Sequence, residues 1–240
     1  NIYKRRTRRN IRVPKIDLHC HTRFSPDSFT KPEELITRCV ATKLDHIAIT
    51  DHNTIEGAME VKRLAPFGVI IGEEIKSLGG EIIGLFLEKA IPSGLTPLDT
   101  VKQIKQQGGL VSIPHPFDNF RQSVITKDAL EEILPYTDII EAFNSRNTLQ
   151  RANRKALQLA SNHDIAISSV SDSHTLTEIG RSYVQVPEFD CNPPGLMAAL
   201  HHGLLIKKQI TPLIHILTTL TKAQKRATHF WNRWSRKSKC

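Results

Sequence analysis

Of the 240 residues only four are cysteine (Cys20, Cys39, Cys191 and Cys240), and no two of them form a Cys-x-x-Cys pair. That spacing gives no zinc-ribbon signal and no disulfide framework, and it fits a reducing compartment. Long apolar runs are also missing. None reaches the roughly 18–20 residues that span a bilayer, so no transmembrane segment is expected. The basic N-terminal stretch is not followed by an apolar one, so no signal-peptide pattern is visible and the expected location is the cytoplasm. No internal repeat is present.

Acidic residues are absent from residues 1–15, from residues 222–240 and from everything after Asp190. Each of the two ends carries seven Lys and Arg, fourteen of the chain's 33. The remainder holds 19 basic against 24 acidic residues, so the net charge of +9 belongs to the ends and the body is acidic. Basic ends of this kind contact nucleic acid or anionic membrane, or are simply solvated. Phe230, Trp231 and Trp234 among the last basic residues fit an amphipathic helix at such a surface, or a basic helix packed on the domain wall.

The composition, 39% hydrophobic and 24% charged, is that of a globular domain. Seven short apolar strands are expected, at 13–18, 45–50, 69–71, 81–87, 110–113, 138–143 and 165–170. Helices are expected at 55–64, 97–107, 127–134, 151–162 and 196–202, with another opened by Thr30 as N-cap and Pro32 in its first turn. Mostly alternating strands and helices argue for a parallel α/β architecture. The third and fourth strands are too close for a helical crossover and are expected to form a hairpin. The expected organisation is a basic arm at 1–12, a barrel domain at 13–205 and a basic helical extension at 206–240.

Several strands end in groups that bind metal. His19 and His21, two apart on a strand, point to one face. Two converging imidazoles hold a divalent transition metal. Cys20 between them faces the other way, into the core. Asp27, past the Ser25-Pro26 turn, can return a carboxylate to the same place. Asp51-His52 ends the second strand, with Asp51 either orienting a histidine or capping the next helix. Glu73 and Glu74 face opposite ways, so one of them reaches the site; Glu81 is a weaker candidate. His115 lies between two prolines, and Asp172-Ser173-His174 repeats the two-residue spacing. His46, His163, His201, His202, His215 and His229 have no such placement. In α/β barrels the active site lies at the C-terminal strand ends, where these residues fall.

The stretches Asp17-Leu18-His19-Cys20-His21-Thr22, Thr50-Asp51-His52, Gly72-Glu73-Glu74-Ile75, Pro114-His115-Pro116 and Ser171-Asp172-Ser173-His174 resemble the PHP (polymerase and histidinol phosphatase) family of metal-dependent phosphoesterases. The resemblance runs in family order over roughly residues 13–180. It implies a distorted seven-stranded (β/α)7 TIM-like barrel with two or three divalent ions, commonly zinc, manganese or iron. It implies that His19, His21, Glu74 and Asp172 hold one ion, Asp27, His52 and His174 another, and His115 with bridging Glu74 the remaining one. Glu74 is preferred over Glu73 because it matches a Gly-x-Glu pattern. The chain departs from the pattern after the sixth strand, where some trimetal members place a further histidine. Here the residues are Glu141 to Asn147, with Arg146 as a candidate for binding substrate phosphate or for a surface salt bridge.

The activity implied is hydrolysis of a phosphate ester by a metal-activated hydroxide, with Asp27 or His174 in proton transfer. The expected substrate is a phosphorylated small molecule, a nucleotide or an oligonucleotide. The alternatives are a 5'-3' exonuclease acting on short DNA or RNA, and a non-catalytic metal-binding module. Metal-assisted amide hydrolysis is disfavoured because no lysine sits at a strand end.

Overall fold

The computed structural model describes residues 12–210, 219–221, 223–225 and 227. The basic arm up to residue 11, the apolar run at 211–218 and the aromatic end at 228–240, with His215 and His229, lie outside the described residues.

The strands are β1 (Lys15–Asp17), β2 (His46–Ile49), β3 (Gly68–Ser77), β4 (Gly80–Leu85), β5 (Leu110–Ile113), β6 (Ile139–Asn144), β7 (Ala166–Val170), β8 (Tyr183–Gln185) and β9 (Leu204–Ile206). The helices are α1 (Pro32–Thr42), α2 (Glu56–Leu64), α3 (Pro97–Gln106), α4 (Lys127–Ile133), α5 (Gln150–Asn162) and α6 (Pro193–His201), with a 3-10 turn at Leu134–Tyr136. They form one nearly closed, barrel-shaped sheet in the order β7-β6-β5-β4-β3-β2-β1-β8-β9. Strands β1, β2 and β3 are parallel, as are β5, β6 and β7. Strand β4 runs antiparallel to both neighbours, so the β3–β4 hairpin forms as expected.

The sheet thus has nine strands and not seven. β8 pairs antiparallel with β1, and β9 with β8. Each is three residues long, too short to show alternation. The barrel closes where the exit of β1 meets the exit of β7. Cys20 bridges Ser173 in parallel, and the His21 N–H donates to the Ser173 carbonyl at 2.9 Å.

Alternation decides which residues face the helices. Ile47, Ile49 and Val69 pack on Leu35 and Cys39 of α1 and on Ala58 and Val61 of α2. Their neighbours Ile16, Ala48 and Ile70 join Ile83, Leu85, Ile139 and Val170 from the rest of the sheet, with Leu196 and Leu200 of α6. Burying each such side chain contributes about 1.5–3 kcal/mol. The N-cap of α1 is Lys31, not Thr30. Thr30 instead donates its hydroxyl to the His174 carbonyl at 3.3 Å, tying the α1 entry to the end of β7. No helix among the described residues is long and apolar enough to cross a membrane.

Glu73 and Glu74 face opposite ways along β3. Glu73 is fully buried and accepts the Ile91 N–H through Oε2 at 2.8 Å, while its Oε1 has no hydrogen-bond partner. Burial raises its pKa from 4.5 to about 7 against the opposing Ile91 bond. A raised carboxyl favours the fold fully below about pH 4.5, and that contribution is lost as pH rises through about 7. Glu73→Gln is therefore expected to raise stability at pH 8 by on the order of 2–3 kcal/mol at most, seen as a higher Tm, and to leave it near wild type at pH 4. Thermal melts at the two pH values check this. An equal effect at both would assign the change to packing.

Candidate metal centre

The two histidines after β1 meet at one point. Their Nε2 atoms lie 2.9 Å apart, and both rings are fully buried. Glu74 Oε2 is 3.4 Å from each nitrogen, and Asp172 Oδ1 is 3.6 Å from that of His19 and 3.5 Å from that of His21.

The outer nitrogens decide the tautomers. His19 Nδ1 donates to Glu141 Oε1 at 2.6 Å. The Ser25 hydroxyl gives its one proton to Asp51 Oδ1 at 2.7 Å, so it can only accept from His21 Nδ1 at 3.0 Å. When both rings are neutral, as ligation of a metal requires, each Nε2 therefore turns its lone pair inward. His174 does the same: Nδ1 donates to the Asp172 carbonyl at 2.9 Å, which leaves Nε2 facing Asp27 Oδ1 at 3.3 Å. Asp172 Oδ1 has no hydrogen-bond partner. Acceptors that face acceptors at this spacing fit a cation between them, so this donor set suits a divalent ion.

The remaining candidates complete the cluster. His52 reaches Asp27 Oδ2 through Nε2 at 3.3 Å and Glu74 Oε2 through Nδ1 at 3.2 Å. His115 Nε2 is 3.2 Å from Glu74 Oε1. Glu81 lies 3.7 Å from His52 and 3.9 Å from His115. Four overlapping groups result, each with ligand atoms within 4.8 Å of one another: His21–Asp27–His52–His174, His19–His21–Asp172, His19–Glu74–His115 and His52–Glu74–Glu81. The structure thus brings together His19, His21, Asp27, His52, Glu74, His115, Asp172 and His174.

Aiming them strains the backbone. His115 has φ +30° and Asp172 φ +51°, a region that side chains with a Cβ rarely adopt.

The electrostatics follow from burying acids beside imidazoles. Burial lowers the pKa of His19, but Asp172, Glu141 and Glu74 outweigh it and raise it well above the usual value. Burial, then His174, lowers His21 to about 3. Burial opposes the charge on His52, yet Glu74 and Asp27 raise it to about 10. Burial works against ionised Glu74, Asp172 and Asp27 as well. The neighbouring groups, His19 and His52 for Glu74, Arg121 and His19 for Asp172, and His174 and His52 for Asp27, hold all three below the usual range.

Some supporting residues have weak sequence signals. Glu141 accepts from His19 Nδ1 through Oε1 and from the His115 N–H through Oε2 at 2.9 Å. An acid inside the apolar run of β6 was its only signal. Asn144 donates to Glu141 at 2.9 Å and to Asp172 Oδ2 at 3.1 Å. Arg121 donates from Nη2 to Asp172 Oδ2 and from Nε to Asp118 at 3.2 Å, with its side chain 19% exposed. It sits in the loop after β5, where no spacing marks it. Asp51 accepts from Thr22 and Ser25 and so orients His21 through Ser25; it does not cap α2, whose N-cap is Ile55.

Arg146 lies in the wall of the site and not at its rim. It is 4% exposed, and Nη1 pairs with Glu178 Oε1 at 2.6 Å. The other Glu178 oxygen accepts the His174 and Thr175 N–H groups at 3.0 and 2.8 Å. Arg146 thereby fixes the turn that presents His174, and of its two expected roles the structure shows an ion pair, though a buried one. Cys20 is core, with Sγ 2.7 Å from the Ser173 hydroxyl.

Comparison with known proteins agrees with this geometry. The PHP domain profile matches residues 17–170 and a PHP-associated profile matches residues 150–204. An uncharacterized protein of Methanocaldococcus jannaschii is 34% identical over 212 residues, 87% of this chain and 85% of that one. A 5'-3' exoribonuclease of Haemophilus influenzae is 32% identical over 100 residues, 39% of this chain and 36% of that one. Among solved structures, a two-domain protein of Bacteroides vulgatus containing a predicted PHP-like metal-dependent phosphoesterase superposes with a TM-score of 0.67 at 19% identity, over 82% of this chain and 65% of that one.

If Glu141 orients both His19 and His115, Glu141→Gln should weaken Mn²⁺ or Zn²⁺ binding by about 10–100-fold while the protein stays folded. Calorimetric titration with far-UV circular dichroism measures both. Wild-type affinity in a folded variant would remove Glu141 from the centre.

Proposed function

The chain belongs to the PHP family, and from that premise we propose that it is a metal-dependent phosphoesterase that hydrolyses a nucleotide, another small phosphomonoester or an oligonucleotide. The observation that carries this reading is the inward-facing pair of Nε2 lone pairs on His19 and His21, ringed by Glu74 and Asp172. His19, His21, Glu74 and Asp172 would hold one ion, Asp27, His52 and His174 a second, and His115 with Glu74 a third. Divalent ions there, zinc, manganese or iron, supply a Lewis acid for phosphoryl oxygens and a water acidified to near-neutral pKa.

The protein's own groups divide the rest of the work. Arg121, partly open beside Asp172, offers a guanidinium to phosphoryl oxygens. Asp27 and His52 are the most open of the eight, at 13% and 17% side-chain exposure. Asp27 and His174, 3.3 Å apart, are the candidates for proton transfer. Glu141, Asp51 with Ser25, and Arg146 with Glu178 keep the imidazoles oriented. Arg146 is assigned to positioning and not to substrate.

A second reading, a 5'-3' exonuclease on short DNA or RNA, is favoured by the partial likeness to the exoribonuclease and by the basic ends. A non-catalytic metal module is disfavoured, because such modules tend to lose ligands and this set is nearly complete. The cysteine usage supports a cytoplasmic location, and we take 13–205 as the barrel domain.

The test is phosphate release from mononucleotides, nucleoside bisphosphates, sugar phosphates and short oligonucleotides, with manganese and zinc supplied separately. Activity on one class is expected, lowered at least about 10³-fold in His19→Ala and in Asp172→Ala. Undiminished turnover in both folded variants would refute the assignment. Cleavage of oligonucleotides alone would select the second reading.

A further inference from the structure

Residues 219–221 and 223–225 are helical, and Lys225 lies against the loop that carries Asp27. Its Nζ donates to the backbone carbonyls of Arg23 at 2.7 Å, Ser25 at 2.6 Å and Ser28 at 2.5 Å. Three carbonyls match the three donors of an ammonium. The same nitrogen lies 5.2 Å from the centroid of the Phe29 ring, a cation–π contact.

The three carbonyls flank Asp27 on both sides. Residues 21–31 contain no helix or strand, so no ladder holds this segment. Its two ends are tied through side chains, Thr22 and Ser25 to Asp51 and the Ser28 and Thr30 hydroxyls to the His174 carbonyl, with Arg23 N–H to the Thr30 carbonyl at 2.7 Å closing the base of the loop. Yet the loop must hold a carboxylate 3.3 Å from two imidazoles. Buried or half-buried carbonyls that converge need a donor. A single cation that joins three of them sets the curvature of the loop. Burial lowers the Lys225 pKa from its ordinary value, and the charges of Asp27 and Asp51 oppose that shift.

We propose that Lys225 is a positioning residue that staples the Arg23–Ser28 loop and thereby sets Asp27 as a ligand of the outermost ion, the one shared by His21, Asp27, His52 and His174. The inference rests on reading those four residues as metal ligands. It makes the C-terminal extension part of the centre, about 200 residues after the loop it holds.

The experiment compares the full-length wild type with Asp27→Asn, Lys225→Met and Lys225→Gln. Mn²⁺ binding is followed by equilibrium dialysis, and amide hydrogen exchange is followed without added metal. Asp27→Asn should lose the weakest-held ion. Both Lys225 variants should weaken that ion by about 10–100-fold and leave the tighter sites unchanged. Both should also speed exchange at residues 22–30 and not in β2 or β6, which reports an intact barrel. Wild-type binding and wild-type exchange in both Lys225 variants would overturn the proposal and leave the metal reading standing. No Mn²⁺ binding by the wild type, or no loss in Asp27→Asn, would overturn the metal reading and the proposal with it.

Discussion

Carboxylates crowded around buried imidazoles are the constraint that shapes this protein. Glu74, Asp172, Glu141 and Asp27 each lie within 3.6 Å of an imidazole nitrogen, three of them with almost no exposure. Several carboxylates cannot stay ionised in such a space without cations. An ion left buried and unpaired costs several kcal/mol. Arg121 supplies one cation beside Asp172, and the acids around His19 and His52 pull both imidazoles toward their protonated forms. Metal ions meet the same demand with more charge per site, and the inward-facing nitrogens are already set to receive them.

The surrounding fold serves that constraint. His19, His21, His52, His115, Asp172 and His174 follow strand ends, Glu74 lies within β3 and Asp27 in the loop after β1, and several are steadied by a partner from another element. Ser25 and Asp51 hold His21, Glu141 holds His19 and the backbone of His115, and Glu178 with Arg146 holds the turn of His174. One glycine makes room for this. A Cβ at Gly57 would stand 2.0 Å from Asp51 Oδ2 and 2.4 Å from Thr22 Oγ1, so α2 can approach the Asp51–Thr22 pair only without a side chain there. The left-handed backbone of His115 and Asp172 costs free energy that the rest of the fold has to offset.

Much of this was legible before the structure. Period-two spacing put His19 and His21 on one face and separated Glu74 from Glu73. The short β3–β4 connection required a hairpin. The recurrence of His, Asp and Glu at strand exits located the rim of the barrel. What escaped notice lacked a local pattern. β8 and β9 are three residues each and owe their existence to pairing beside β1. Arg121 is a lone arginine in a loop, placed by Asp118 and Asp172, 51 residues away from the latter. For Arg146 the sequence leaves open substrate phosphate or a surface salt bridge, because nothing near it in the chain shows that Glu178, 32 residues on, pairs with it in the interior. Thr30 was assigned as a helix cap from its neighbours, whereas its hydroxyl answers to His174, 144 residues on.

Anomalous diffraction from crystals of the full chain grown with Mn²⁺ or Zn²⁺ tests the central claim most directly. The account predicts at least two anomalous peaks, one of them between the Nε2 atoms of His19 and His21 at roughly 2.0–2.3 Å from each. Crystals with Nε2 atoms still about 3 Å apart, joined by a hydrogen bond and with no peak among these residues, would contradict it.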